Sequence, residues 1–225
     1  MSQTLRVVGS ILAAATLAGA AAACGQSESV DSATQRALDA VLSDGDFPSG
    51  YHVVKLGKDD ESAITEQLDD SRKDAEVTPA ACKSDDDVPD SADAGSVVAS
   101  DGESVLSQSV VASSVDAGTL TAAVTGECAQ VRVEVTTGAA RGTTVDITHA
   151  DVTTPTIDGH PGLVFREVST VSGDNNDRRE LLIGRVPVDG YLVTVQAVNA
   201  DGSAPDRGAF DAMLAAAVRK VADAR

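Results

Sequence analysis

Three stretches decide the fold of this chain: Leu163–Val171 (LVFREVSTV), Arg179–Val186 (RELLIGRV) and Tyr191–Val198 (YLVTVQAV). Each is rich in Val, Leu and Ile, with polar residues interleaved, which is how a sheet strand reads. Ser172–Asp177 (SGDNND) is a polar loop between the first two. Asp189-Gly190 joins the second to the third, and an Asp-Gly step supplies the positive φ angles that a two-residue hairpin needs. The three stretches therefore form an antiparallel meander, which Ala200–Ser203 (ADGS) closes.

After the meander the hydrophobic period changes from two to 3.6. Phe210, Met213, Leu214, Ala217, Val218 and Val221 follow i, i+3, i+4, i+7, i+8, i+11 spacing, behind Asp206 as N-cap. Arg219 and Lys220 stand near the C-terminal end, where cations suit the macrodipole. Before the meander, Val131, Val133 and Val135 alternate with Arg132, Glu134 and Thr136, and Val145 and Ile147 alternate likewise. Val105–Ser113 reads as a further strand. Asp116–Ala123 is helix-like, with Leu120, Ala123 and Val124 on one face. A first helix is expected over 33–43 with Leu38, Val41 and Leu42 as its stripe, stopped at Asp44-Gly45-Asp46. A turn at Phe47–Tyr51 and a strand at His52–Leu56 follow. The reading is an α+β domain: a curved, mainly antiparallel sheet, helices packed on one side, and a C-terminal amphipathic helix.

The amino terminus is of another kind. Arg6 precedes the apolar run Val7–Ala18, too short to span a bilayer, and the small residues Gly19–Ala23 lead to Cys24. This is the layout of a secretory signal peptide over 1–23. Ala21-Ala22-Ala23-Cys24 resembles the lipobox of bacterial lipoproteins, although that family prefers Leu where Ala21 stands. The resemblance implies that the Cys24 thiol is alkylated by diacylglycerol and that Cys24 becomes the mature N-terminus. Ordinary cleavage after Ala23 is the other reading, and it leaves Cys24 as a bare thiol. Residues 24–30 would then be lipid anchor and tether, and 31–225 a single α+β, sensor-like domain. The expected location is the outer face of the plasma membrane or the cell envelope.

Composition narrows the partners. Seventeen Lys and Arg face thirty-five Asp and Glu, a net charge of −18, which repels phosphate backbones, so nucleic acid is not an expected partner. No Trp and only five Phe and Tyr leave little material for the aromatic platforms of sugar clefts. Residues 59–93 hold thirteen of the acids against Arg72, Lys73 and Lys83, and read mostly as a solvated loop, with a short helix near Ile64 and Leu68. Beyond Cys24 the cysteines are Cys82 and Cys128, and in an exported chain the default is one disulfide between them.

Signatures of catalysis are missing from the chain: no nucleophile elbow, no His-Glu-x-x-His, no phosphate-binding loop. His52 and His149 read as ordinary strand-end polar residues. His160, in Asp158-Gly159-His160-Pro161-Gly162, reads as part of a turn shaped by its Gly and Pro. The acidic loop lacks the spacing of an EF-hand, and no metal or cofactor is expected.

The order of these elements is similar to that of actinobacterial envelope lipoproteins of mycobacterial type, and to the extracellular sensor domain of mycobacterial serine/threonine kinases. Phe47–Tyr51, Thr78-Pro79-Ala80-Ala81-Cys82, Gly126-Glu127-Cys128, the 158–162 turn, the Asp189-Gly190 hairpin and the terminal helix carry the resemblance over roughly residues 31–223. The kinase sensors have more cysteines, and this chain has no kinase domain. The resemblance implies a small domain with a cleft for an envelope ligand or protein, and it supplies no site residues. The expected function is a non-enzymatic, lipid-anchored binding or sensor module, reaching the membrane through its anchor. A lipid or glycolipid carrier with an apolar cavity, and an envelope hydrolase, are the alternatives.

Overall fold

A computed structural model of the protein describes residues 32–54, 75–83, 94–137, 141–172 and 177–224. The expected meander is its centre. Strands β9 (Leu163–Ser172), β10 (Arg178–Val188) and β11 (Tyr191–Asn199) run antiparallel, with Val188 opposite Tyr191 across the turn. Asp189 at φ 49° and Gly190 at φ 86° form that turn, the backbone that right-twisted strands select in a two-residue hairpin.

The other eight described strands are β1 (His52–Val53), β2 (Ala75–Thr78), β3 (Gly95–Ser100), β4 (Ser104–Ala112), β5 (Gln130–Val135), β6 (Thr144–Thr153), β7 (Thr156–Ile157) and β8 (His160–Pro161). Nine of the described strands form one sheet in the order β1-β3-β4-β11-β10-β9-β6-β5-β2, every neighbouring pair antiparallel. The β7–β8 pair is a separate small hairpin whose turn, Asp158-Gly159, again has positive φ at both residues. The turn expected around His160 is therefore present, with two short strands attached.

Strand alternation splits the sheet into two faces. On one lie Leu106, Val110, Val164, Leu182, Val186, Val188, Val193, Val195 and Ala197, all buried. Helix α1 (Ser32–Asp39) and the long terminal helix α3 (Arg207–Asp223) cover this face, α3 through the predicted stripe from Phe210 to Val221. Two glycines permit the approach. A Cβ on Gly184 would stand 2.6 Å from a Leu214 methyl and 3.0 Å from the Phe210 ring, and one on Gly95 would collide with the Ala37 carbonyl oxygen.

The expectation that all helices pack on one side is corrected here. Helix α2 (Ala117–Ala122) lies on the opposite face, where Leu120 and Val124 pack on Leu163, Phe165, Leu181 and Ile183. The reason is in β9 and β10, whose alternate positions are apolar on both faces and so need cover on both. Ala123, read as part of that stripe, is exposed. Asp116 caps α2, its carboxylate accepting the Thr119 N–H at 2.8 Å. The first helix ends earlier than expected, at Asp39, and of the strand read at 52–56 residues 52–53 pair with β3. The short helix read near Ile64 and Leu68 lies outside the described residues, as do the signal segment, the tether and Cys24.

Candidate functional site

The α2 face changes character across the central strands. Register places Ser96, Ser109, Thr194 and Arg185 in one cross-strand row over β3, β4, β11 and β10. The adjacent row runs Val98, Ser107, Gln196, Ile183. On the other face the same strands present Ala99, Leu106, Val110, Val193, Val195 and Ala197. Ser109 and Gln196 are only 8% and 7% exposed, while Ser107 and Thr194 are half-buried. Hydroxyls and a carboxamide at such positions stay within a sheet only when hydrogen-bonded. The Arg185 guanidinium lies over the Phe165 ring, 5.8 Å from its centroid, so the row ends in a cation stacked on an aromatic face. The stripe is thus a row of hydroxyls, a carboxamide and one cation, with Ser96, Ser109, Gln196 and Arg185 each engaged within the protein.

Beyond Phe165 on the same face stands a second polar cluster. His149 on β6 is opposite Glu167 on β9, and both side chains are 11% exposed. His149 Nδ1 lies 2.7 Å from the Cys128 carbonyl oxygen. A carbonyl only accepts, so Nδ1 carries the hydrogen and donates it. Nε2 lies 3.6 Å from Glu167 Oε2, and the imidazole meets the Phe165 ring edge to face, centroids 5.4 Å apart. Nδ1 is therefore hydrogen-bonded, while Nε2 faces the Glu167 carboxylate beyond hydrogen-bond distance. The arrangement locks the ring and fixes the loop at Cys128 against the sheet.

Cys128 is also half of the expected bridge. Cys82 and Cys128 are joined, with Cα atoms 5.5 Å apart, across a sequence separation of 46. Cys82 lies in the turn after β2, and Cys128 in the turn between α2 and β5. His149, read as a strand-end residue, is in the interior of β6. His52 is exposed on β1, and His160 is half-buried in β8. The structure brings neither to His149. The one signal for the His149–Glu167 pair was parity: His149 shares a face with Val145 and Ile147, and Glu167 with Phe165. A buried histidine and a buried acid on facing strands could have been paired once the register was known.

Among the described residues no group of three His, Cys, Asp or Glu side chains converges as a metal site. No described helix is long and apolar enough to cross a membrane. No family model matches the chain. No curated protein matches it either. A solved structure that is similar to it is that of an uncharacterized protein from Mycobacterium smegmatis, an Rv0999 ortholog, at 17% identity and a TM-score of 0.44, covering 79% of this chain and 92% of that one.

Proposed function

We propose that the protein is a lipid-anchored extracytoplasmic binding or sensor module of the cell envelope, held to the membrane through Cys24 and not an enzyme. The observation that carries the reading is the polar stripe. In the middle of a nine-stranded sheet, one face is closed with aliphatic side chains, while the other presents Ser107, Ser109, Thr194 and Gln196 beside Arg185. A polar ligand bound here would take over contacts that Ser109, Gln196 and Arg185 make within the protein. The Cys82–Cys128 bridge suits an oxidising compartment, which supports export. At Gly184 the seam between α3 and the sheet is closed by Leu214 and Phe210, so the binding reading stands ahead of an apolar carrier cavity there. Kinship with the mycobacterial kinase sensors belongs to the same proposal.

Native mass spectrometry of the full chain, produced in an actinobacterial host, tests both halves. The expected spectrum carries a diacylglycerol-type mass on Cys24 and a reproducible polar adduct that Thr194→Val with Gln196→Leu removes. A chain without lipid that stays in the culture medium sinks the anchor. An adduct that survives the double substitution sinks the stripe.

A further inference from the structure

The sheet edge at β2 combines three observations. First, among the described residues β2 is the last strand of the sheet, joined by only four residue pairs to β5. Second, that pairing sets Glu76 directly opposite Glu134, both exposed, and like charges in facing positions destabilise a ladder. Third, the disulfide anchors Cys82, at the turn after β2, to Cys128, two residues before β5 begins. A covalent tie therefore holds an edge strand whose own charges oppose its seat.

The strand beneath is self-complementary. Residues 130–135 of β5 read QVRVEV. An antiparallel second copy centred on Val133 places Val133 opposite Val133, Val131 opposite Val135, and Arg132 opposite Glu134 twice. Arg132 of that copy would take the position of Glu76, and its Glu134 the position of Thr78, which now faces Arg132. One repulsive pair is exchanged for two attractive ones, in which each Arg132 is shared between the incoming Glu134 and the Asp146 carboxylate of β6 that already holds it, on a strand whose backbone edge is otherwise left open among the described residues.

We propose that the Cys82–Cys128 bridge gates this edge: reduced, the chain releases β2 and pairs β5 with β5 of a second copy. The chemistry needs a thiol reductant. Two RSH molecules supply two electrons and two protons, the sulfur–sulfur bond breaks to two cysteine thiols, and RS–SR forms. The reverse exchange, in which a disulfide RS–SR takes the two electrons and two protons and leaves as two RSH, restores the tie and the monomer.

The experiment is sedimentation velocity on the full chain carrying Cys24→Ser, in mild non-ionic detergent, with and without dithiothreitol. Far-UV circular dichroism on the same samples reads the fold. The oxidised chain is expected to be monomeric, and the reduced chain a concentration-dependent dimer with its strand signal retained. Glu134→Arg, which sets Arg opposite Arg, weakens the reduced dimer about tenfold or more. Arg132→Glu with Glu134→Arg and Asp146→Arg reverses the charges while keeping position 132 paired with position 146, and restores it. A reduced chain that stays monomeric overturns the proposal, and so does an oxidised chain that dimerises equally well. Failure of this triple reversal to rescue overturns the proposed register. Loss of the strand signal on reduction also overturns it, because the bridge would then be holding the whole domain and not one edge.

Discussion

Gln108 is 1% exposed, on the aliphatic face of β4 between Leu106 and Val110. Its Oε1 accepts the Leu42 N–H at 2.8 Å, and its Nε2 donates to the Ala40 carbonyl at 3.4 Å. The carboxamide thereby satisfies the backbone just after α1, where the chain leaves the helix inside the core. Gln108→Leu fills the space but leaves a buried N–H and C=O without partners. The expected cost is about 1–3 kcal/mol in urea unfolding, with an unchanged dependence on urea. A neutral result would mean that water or a shifted loop replaces the amide. Gly184→Val addresses the neighbouring contact, forcing a branched side chain against Leu214 and Phe210, and overpacking of this kind costs about 1–3 kcal/mol. Neither role was legible in the sequence. A lone Gln in a strand looks like a surface residue, and Gly184 looks like a weak point in β10, until a helix is known to lie across them.

At the scale of elements, legibility followed the length of the pattern. The strands β9 to β11 and helix α3 were readable because each repeats its period over two or more turns or alternations, and Asp189-Gly190 and Asp206 mark their boundaries. Asp206 Oδ1 accepts the Gly208 and Ala209 N–H groups at 2.7 and 3.2 Å, as an N-cap does. Helix α2 has only Leu120 and Val124 to show which way it faces, and two residues cannot decide between the faces of a sheet that is apolar on both. Strand β2 was invisible for a different reason. Its residues, AEVT, are held by a register and a bridge contributed from more than forty residues away. The polar stripe exists only as a sum over four strands, each of which contributes one or two residues. An element-scale prediction follows from β2. In the oxidised chain Glu76→Lys replaces a like-charge pair with an attractive one, so the melting temperature rises, by a stabilisation of a few tenths of a kcal/mol or more. A fall in melting temperature would show that Glu76 has a favourable partner that outweighs Glu134.

At the scale of the whole molecule, charge and covalent constraint act together. A net charge of −18 on 225 residues repels itself in the compact state. The bridge opposes unfolding by shortening the free chain, and for a separation of 46 the chain-entropy model gives about 4 kcal/mol. Acid changes the balance in two stages. As pH falls from neutrality, the excess of carboxylates begins to protonate and self-repulsion declines, which favours the folded chain. Several aspartates then reverse the trend. Backbone and hydroxyl hydrogen bonds from Ser43, with Lys220 nearby, hold Asp46 below its ordinary value. The Ser104 and Glu103 N–H groups do so for Asp101, and the Thr119 N–H for Asp116. The Arg132 guanidinium lowers Asp146, and the Ser203 hydroxyl and N–H lower Asp201. A carboxylate whose folded value lies below its unfolded one stabilises the fold fully above the ordinary aspartate value of about 3.9, and that contribution is lost as pH falls through this point toward the folded value. The melting temperature should therefore rise or hold on mild acidification and fall below about pH 4. Asp116→Asn keeps an N-cap acceptor without the titration, so its acid-side slope should be shallower than that of the parent chain. Thermal melts of both chains across this range decide the matter: superimposable acid slopes would mean that the cap carboxylate has no share in acid unfolding, and that loss of the remaining ionic contacts suffices.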